Sequence, residues 1–354
     1  TPVSGKEKAL EAINLNMTKY DLVPGLLSLR EAICQKLSTE NQVNYLPSEI
    51  VASSGAKNAI TNALMAVLDP GDEVLVPSPY WTSYPEMIKL CHGHPVVVKT
   101  EKANDYKLTV EQLHKAVTIK TKLLLINNPS NPTGSVYSKE ELLPLIDYCV
   151  SHNILILADE IYEKIHFEET FTSIPSISEE AKNITILVNG FSKSAAMTGW
   201  RLGYTASNAK IAASISTIQG HLTSHPSTIA QWAGLGALES GEDEMQQMVK
   251  TYKRRRDQLI PMLENLPKVD FVNPKGAFYL FLDLSQYKHA FKEEHSFSIA
   301  LCDRFLSEYK VAVVPGIAFG NDDCIRISYA TKIEWVMEGL NRLKSFLESL
   351  DNAK

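Results

Sequence analysis

"KLLLINNPSNPTG", Lys122 to Gly134, and "NILILADEIYEK", Asn153 to Lys164, each start as an apolar run and end in polar residues at a turn. "ITILVNGFSK", Ile184 to Lys193, repeats the pattern. Short runs rich in Ile, Leu and Val, with no polar alternation, read as strands buried on both faces. "DEVLVPSP" (72–79) and "PVVVKT" (95–100) fit the same description. Between and around them lie stretches with apolar residues at helical spacing, such as "SLREAICQKLS" (Ser28 to Ser38) and "AKNAITNALMAVL" (Ala56 to Leu68). The fold class is therefore α/β, a mostly parallel sheet between helices. Past the long helical stretch "EMQQMVKTYKRRRDQLIPMLENL" (Glu244 to Leu266) the texture changes to "GAFYLFLDL", a helix, "VAVVPG", "CIRISYA" and a last helix. At 354 residues the chain exceeds what one core usually fills. Residues 1–255 are accordingly expected to form a large domain and residues 256–354 a smaller α+β one.

The charge balance narrows the function classes. A formal net charge of -6 argues against a general nucleic-acid binder, which needs a basic face, and the densest basic run, Lys253 to Arg256, sits in a helical pattern and reads as a solvated helix face. Five scattered cysteines without a CxxC pair read as reduced thiols of a cytoplasmic protein. No apolar run approaches the length of a membrane span, and no signal-peptide pattern opens the chain. His92 and His94 in "CHGH" lack accompanying ligands and read as a turn after a helix; no metal site is expected. "GLGALESG" lies in a helical stretch, which disfavours a dinucleotide fingerprint.

In parallel sheets, functional groups gather past the carboxyl ends of the strands. The three opening runs deliver Asn131, then Asp159 and Tyr162, then Ser192 and Lys193. A lysine among small, apolar residues is desolvated, which lowers its pKa and makes the amine a usable nucleophile toward an aldehyde. A Schiff base with pyridoxal 5'-phosphate suits this constellation. Ionised Asp159 would hold a proton on the pyridine nitrogen, and Tyr162 and Asn131 would donate to the ring's phenolic oxygen. Ser192, Arg201 and the amides of Ala56 and Lys57, at the helix start after Gly55, would hold the phosphate. Trp81 offers a flat face to cover the ring. In "CIRISY" the alternation puts Arg326 opposite Ile325 and Ile327, where a clamp on a substrate α-carboxylate is its best use. Taken singly, each residue has a plainer reading: Asp159 as the cap of a helix it opens, Tyr162 and Trp81 as packing residues, Arg201 and Arg326 as partners in ion pairs.

The segments "KYDLVPGLLSLREAI", "DPGDEVLVPSPYWTSYPEM", "NNPSNPTG", "ADEIYE", "GFSKSAAMTGWRLGY", "GAFY", "VAVVPGIAFG" and "IRISYA" resemble the bacterial aspartate aminotransferases of the class I/II, pyridoxal-phosphate fold type I aminotransferase family. The resemblance implies a seven-stranded, mostly parallel sheet in the large domain and the same roles for Lys193, Asp159, Tyr162, Asn131, Ser192, Arg201, Trp81 and Arg326. It adds that Tyr20 reaches the phosphate of the neighbouring subunit, so that the active unit is a homodimer. It also adds that Lys57 binds the distal carboxylate of acidic substrates. The chain starts at Thr1, and the resemblance implies some tens of residues before this point, ending in a "GEPDFDTP"-like segment of which Thr1 and Pro2 remain. The reading is a ping-pong aminotransferase using aspartate and 2-oxoglutarate, without nucleic-acid or membrane partners. Other substrates (prephenate, aromatic amino acids, alanine), or a cofactor-sensing portion of a transcription regulator, are the alternatives.

Overall fold

The computed structural model describes residues 1–167, 170–291 and 295–352. The apolar runs become the strands β2 (Glu73–Ser78), β3 (His94–Lys99), β4 (Thr121–Asn127), β5 (Leu155–Asp159) and β6 (Thr185–Gly190), joined by β1 (Ile50–Ser53) and β7 (Gly203–Ala206). These seven form one sheet in the order β1-β7-β6-β5-β4-β2-β3. The pairs from β3 through β2, β4 and β5 to β6 are parallel, whereas β7 runs antiparallel to both β6 and β1. β1 and β7 have four residues each, too few to stand out as apolar runs.

Along the central strands both faces are apolar, which is why no alternation marks them. Leu124, Ile126, Ile156, Ala158 and Leu187 face one side, against the helices Leu27–Glu40, Lys139–Ser151 and Thr228–Ser240. Leu123, Leu125, Leu157, Ile186 and Val188 face the other, against the helices Ala56–Val67, Ser83–Leu90 and Ala209–Leu222. A sheet sandwiched in this way keeps water from both faces and leaves its strand ends as the open edge.

A second sheet is wholly antiparallel: β8 (Asp270–Phe271), β9 (Tyr279–Asp283), β10 (Val314–Pro315) and β11 (Cys324–Ser328) in the order β10-β11-β9-β8. It packs with Leu301 and Phe305 of the helix Phe297–Tyr309 and with Leu340 and Phe346 of the helix Ile333–Asn352. The helix Glu242–Glu264 spans the two bodies. The basic run inside it departs from the solvated reading: Arg256 is buried, bonding to Asp257 and to the carbonyl of Pro274, and Arg255 donates to the carbonyl of Tyr329. Among the described residues no helix is long and apolar enough to cross a membrane.

Two glycines set the distance between the sheet and the helix Ala56–Val67. A Cβ on Gly203 would lie 2.5 Å from the Ala56 nitrogen and 2.8 Å from the Gly55 carbonyl carbon. A Cβ on Gly190 would lie 2.8 Å from the Gly203 Cα. The helix start is thereby pressed against the start of β7, and β7 against the end of β6. Gly203→Ala is expected to lower folding stability by about 1–3 kcal/mol through overpacking against backbone that cannot yield. Urea unfolding measures it, and a variant as stable as the parent would show that the strand and the turn are not in contact.

Candidate active site

The parallel register sets Asn127 opposite Asp159, and Asp159 opposite Val188, so the loops after β4, β5 and β6 open on one edge. Backbone polar groups tie these loops together. Asn127 Nδ2 and the Asn128 amide both donate to the Asp159 carbonyl, at 2.9 and 3.1 Å, and Asn127 Oδ1 accepts from the Asn131 amide at 2.8 Å. Asp159 opens no helix: the chain turns at Ile161–Lys164, which removes the cap reading. Its carboxylate instead accepts from the Ile161 amide at Oδ1 (3.2 Å) and from the Tyr84 hydroxyl at Oδ2 (2.6 Å). After β6 a short helix, Phe191–Ser194, carries Ser192 and Lys193. Lys193 Nζ lies 5.9 Å from the ring centre of Tyr162 and 5.8 Å from that of Phe278.

A cavity of about 300 Å³ collects these groups. Asp159, Tyr162, Ser192 and Lys193 line it from the strand ends, with Asn131 from the turn after β4. Ala56, Lys57, Trp81 and Arg201 line it from the first body, and Arg326 and Tyr279 from the second sheet. Gly55, at φ 88°, turns the chain into the helix Ala56–Val67, whose first turn has no side-chain cap. A Cβ on Gly55 would come within 2.5 Å of Arg201 Nη2, so the guanidinium closes directly over the turn. Arg201 itself sits at φ 53° and donates from Nη1 to the Thr198 carbonyl at 2.8 Å. Lys57 Nζ lies 4.8 Å above the ring of Trp81, which meets Tyr84 edge-on at 5.3 Å. Arg326 donates from Nη1 to Asn131 Oδ1 at 3.0 Å, and its guanidinium lies between the rings of Tyr279 (4.5 Å) and Phe319 (4.8 Å). Its Nε is buried without a partner. Tyr20 lies outside this cavity, 90 % exposed, edge-on to His225.

The cavity thus faces four cations, Lys57, Lys193, Arg201 and Arg326, and one carboxylate, Asp159. Among the described residues none of the four is salt-bridged to an acidic side chain. Burial pushes the Asp159 carboxyl up to about 6, against the pull of its bonds to Tyr84 and Ile161 and of the Lys193 charge. Burial likewise lowers the pKa of Lys193; Asp159 opposes that, and Arg201 and Arg326 reinforce it. Such a surplus of uncompensated positive charge in a partly dry cavity calls for an anionic ligand.

Tyr84 and Tyr279 were not singled out from the sequence. Tyr84 stands three residues after Trp81, which precedes the helix, and its amide donates to the Trp81 carbonyl at 3.0 Å, so the turn into the helix brings the two rings together. Tyr279 stands in β9, on the face of the second sheet shared with Arg326. Its hydroxyl lies 2.7 Å from that of Tyr162.

Because Tyr84 donates to Asp159, Tyr84→Phe is expected to raise the Asp159 midpoint above about 6, by about one unit for a hydrogen bond to a charged acceptor. A larger fraction of Asp159 is then neutral at pH 7. Carboxyl ¹³C NMR of the cofactor-free protein reads the midpoint directly, and a downward shift would contradict the geometry.

The profile of the family described as "Aminotransferase class I and II" matches residues 2–343. The aspartate aminotransferase of Bacillus sp. (strain YM-2) is 42% identical over 352 residues, covering 98% of this chain and 88% of that one. The probable aspartate/prephenate aminotransferase of Aquifex aeolicus (strain VF5) is 43% identical over 353 residues, with 99% and 89% covered. The crystal structure of the aspartate aminotransferase from Rhizobium meliloti superposes with a TM-score of 0.93 at 36% identity, covering 98% of this chain and 88% of that one. By sequence across nearly its whole length, and by fold, this chain belongs to the class I and II aminotransferases.

Proposed function

We propose that the protein is a cytoplasmic, homodimeric transaminase that exchanges the amino group of aspartate with 2-oxoglutarate in two half-reactions sharing one cavity. The observation that carries this reading is the charge of that cavity: four cations and one carboxylate, with no ion pair among them to neutralise it. Pyridoxal phosphate carries a phosphate, and aspartate and 2-oxoglutarate each carry two carboxylates, so cofactor and substrates together match the surplus.

The residues present fit the cofactor. The uncapped helix start, the side-chain-free turn at Gly55 and the Arg201 guanidinium above it form a cradle for a phosphate, which Ala56 and Lys57 amides and the Ser192 hydroxyl complete. When bound, pyridoxal phosphate supplies an aldehyde that condenses with amines and a ring nitrogen that, once protonated, withdraws electrons from the substrate Cα. Asp159, fixed at both oxygens, would hold the proton at that nitrogen. Tyr162 would donate to the phenolic oxygen from its hydroxyl. Asn131 would do so from Nδ2, since its Oδ1 already accepts from Arg326. Trp81 covers one side of the cavity and limits water. Arg326, held through Nη1 by Asn131 and flanked by Tyr279 and Phe319, presents its guanidinium to the substrate α-carboxylate, and Lys57, above Trp81, takes the distal one. Lys193, with its pKa lowered, is the base that carries the Cα proton.

The names of the relatives, aspartate and aspartate/prephenate aminotransferase, support an acidic donor. The exposure of Tyr20 outside this chain's own cavity supports its reaching a second subunit's phosphate. Unpaired thiols at all five cysteines support a reducing compartment. The division into domains at 255/256 is supported by the helix that spans them, whose Met245 packs with the first core and whose Leu259 and Leu263 pack with the second.

With pyridoxal phosphate, aspartate and 2-oxoglutarate, the protein is expected to release glutamate, and Lys193→Ala to lose at least about 10²–10⁴-fold in kcat. Lys57→Ala is expected to raise KM for aspartate about tenfold while leaving alanine nearly unchanged. A donor panel by coupled assay decides: turnover with phenylalanine or prephenate but none with aspartate or glutamate removes the acidic assignment.

A further inference from the structure

Tyr279 has no part in the reading above, yet it touches both halves of the site. Its hydroxyl lies 2.7 Å from that of Tyr162, and its ring stacks at 4.5 Å under the Arg326 guanidinium. Tyr279 and Arg326 stand on one face of the second sheet, since Arg326 pairs with Phe281 and Ser328 pairs with Tyr279. Both tyrosines are buried. A hydroxyl has a single proton, so the direction of this bond decides what Tyr162 has left to give. If Tyr162 donates to Tyr279, nothing remains for a ligand. If Tyr279 donates, the Tyr162 proton is free and its donation is strengthened by the bond behind it.

We infer that Tyr279 is a positioning residue that donates to the Tyr162 hydroxyl, made the donor by the Arg326 cation on its ring, and so turns the Tyr162 proton toward the cofactor's phenolic oxygen. This rests on the reading that Tyr162 faces that oxygen. The reason for the direction is acidity: in a pair of neutral phenols the more acidic one donates. Arg326 lies directly on Tyr279; its charge also reaches Tyr162, but there the Asp159 carboxylate has the larger effect and opposes it, which leaves Tyr162 the weaker acid. Burial raises both hydroxyls, and for Tyr279 the bond with Tyr162 and then the Arg326 charge work against that rise. The charged and titratable groups facing the pair are Asp159 from β5, Lys193 from the loop after β6, Tyr84 from the helix Ser83–Leu90, Arg326 from β11 and Tyr252 from the helix Glu242–Glu264. Among these, Arg326 alone is both cationic and stacked on Tyr279.

The test is the pH midpoint of the cofactor's visible band in the holoenzyme, compared among the parent, Tyr279→Phe and Tyr162→Phe. A donor to the phenolic oxygen favours the deprotonated chromophore, so losing one raises the midpoint. Tyr162→Phe is expected to raise it by about one unit or more, and Tyr279→Phe, which keeps the buried ring, in the same direction by about 0.3 unit. If Tyr162→Phe shifts the midpoint and Tyr279→Phe leaves it unchanged or lowers it, the donor role of Tyr279 is wrong while the reading of Tyr162 stands. Should Tyr162→Phe itself leave the midpoint in place, the reading on which the inference rests falls.

Discussion

Everything in the site leans on the coupling between a buried carboxylate and a half-buried amine that are not paired in a salt bridge. Asp159 is only 3 % exposed, and burial alone drives it toward the neutral acid. Lys193 is driven toward the neutral amine by the same cause. Each works against the other's burial: after the bonds from Tyr84 and Ile161, the Lys193 charge helps keep Asp159 ionised, and the Asp159 charge helps keep Lys193 protonated. Protonating Asp159 below about pH 6 therefore removes support from the lysine cation. The register of β4, β5 and β6 brings both groups to one edge of the sheet, where they form no salt bridge with each other.

The second sheet completes what the first begins. Arg326 reaches the site from β11 and bonds to Asn131 in the turn after β4, and Tyr279 of β9 bonds to Tyr162 after β5, so two hydrogen bonds inside the site join the second sheet to the strand-end loops. Other ties between the two bodies lie further out. Lys102 pairs with Asp270 and Asp283 at 2.5 and 2.8 Å, and the Tyr80 amide donates to the Phe319 carbonyl at 3.0 Å. The latter bond involves the residue before Trp81, and Gly320 leaves room for the ring of Tyr80, where a Cβ would come within 2.7 Å. The segment carrying Trp81 is thus anchored to the same body that carries Arg326. A shift of one body against the other moves Arg326 and Trp81 together.

The strand ends were legible because burial on both faces leaves an unbroken apolar run, after which any polar residue stands out. Asn131, Asp159, Ser192 and Lys193 are of this kind, and the structure brings them to one cavity. Arg326 was legible through alternation. β1 and β7 were not, because four residues give no period to count. Tyr84 and Tyr279 escaped notice for a different reason: tyrosine is common in packed interiors, and only a contact with a residue far away in sequence, Asp159 or Tyr162, distinguishes them. The basic run failed in the opposite direction. Four consecutive cations look solvated in sequence, yet a helix turns one in about four residues inward, and here that residue is Arg256.

Three of the four cations of the cavity share a further property that bears on why it can bind anions at all. Lys57 lies over Trp81, Lys193 lies between Tyr162 and Phe278, and Arg326 lies between Tyr279 and Phe319. In each place an aromatic face stands where a carboxylate would make a salt bridge. The magnitudes favour this choice for a binding site. Separating a buried, hydrogen-bonded ion pair costs roughly 3–5 kcal/mol, which an arriving ligand would have to overcome before gaining anything. A cation over a ring is held by only about 0.5–2 kcal/mol and keeps its N–H donors directed elsewhere. Each of the three is therefore positioned without being neutralised. The stability forgone by leaving these charges uncompensated is recovered when an anion arrives, and the recovery is available to any ligand whose negative groups match the spacing of the cations.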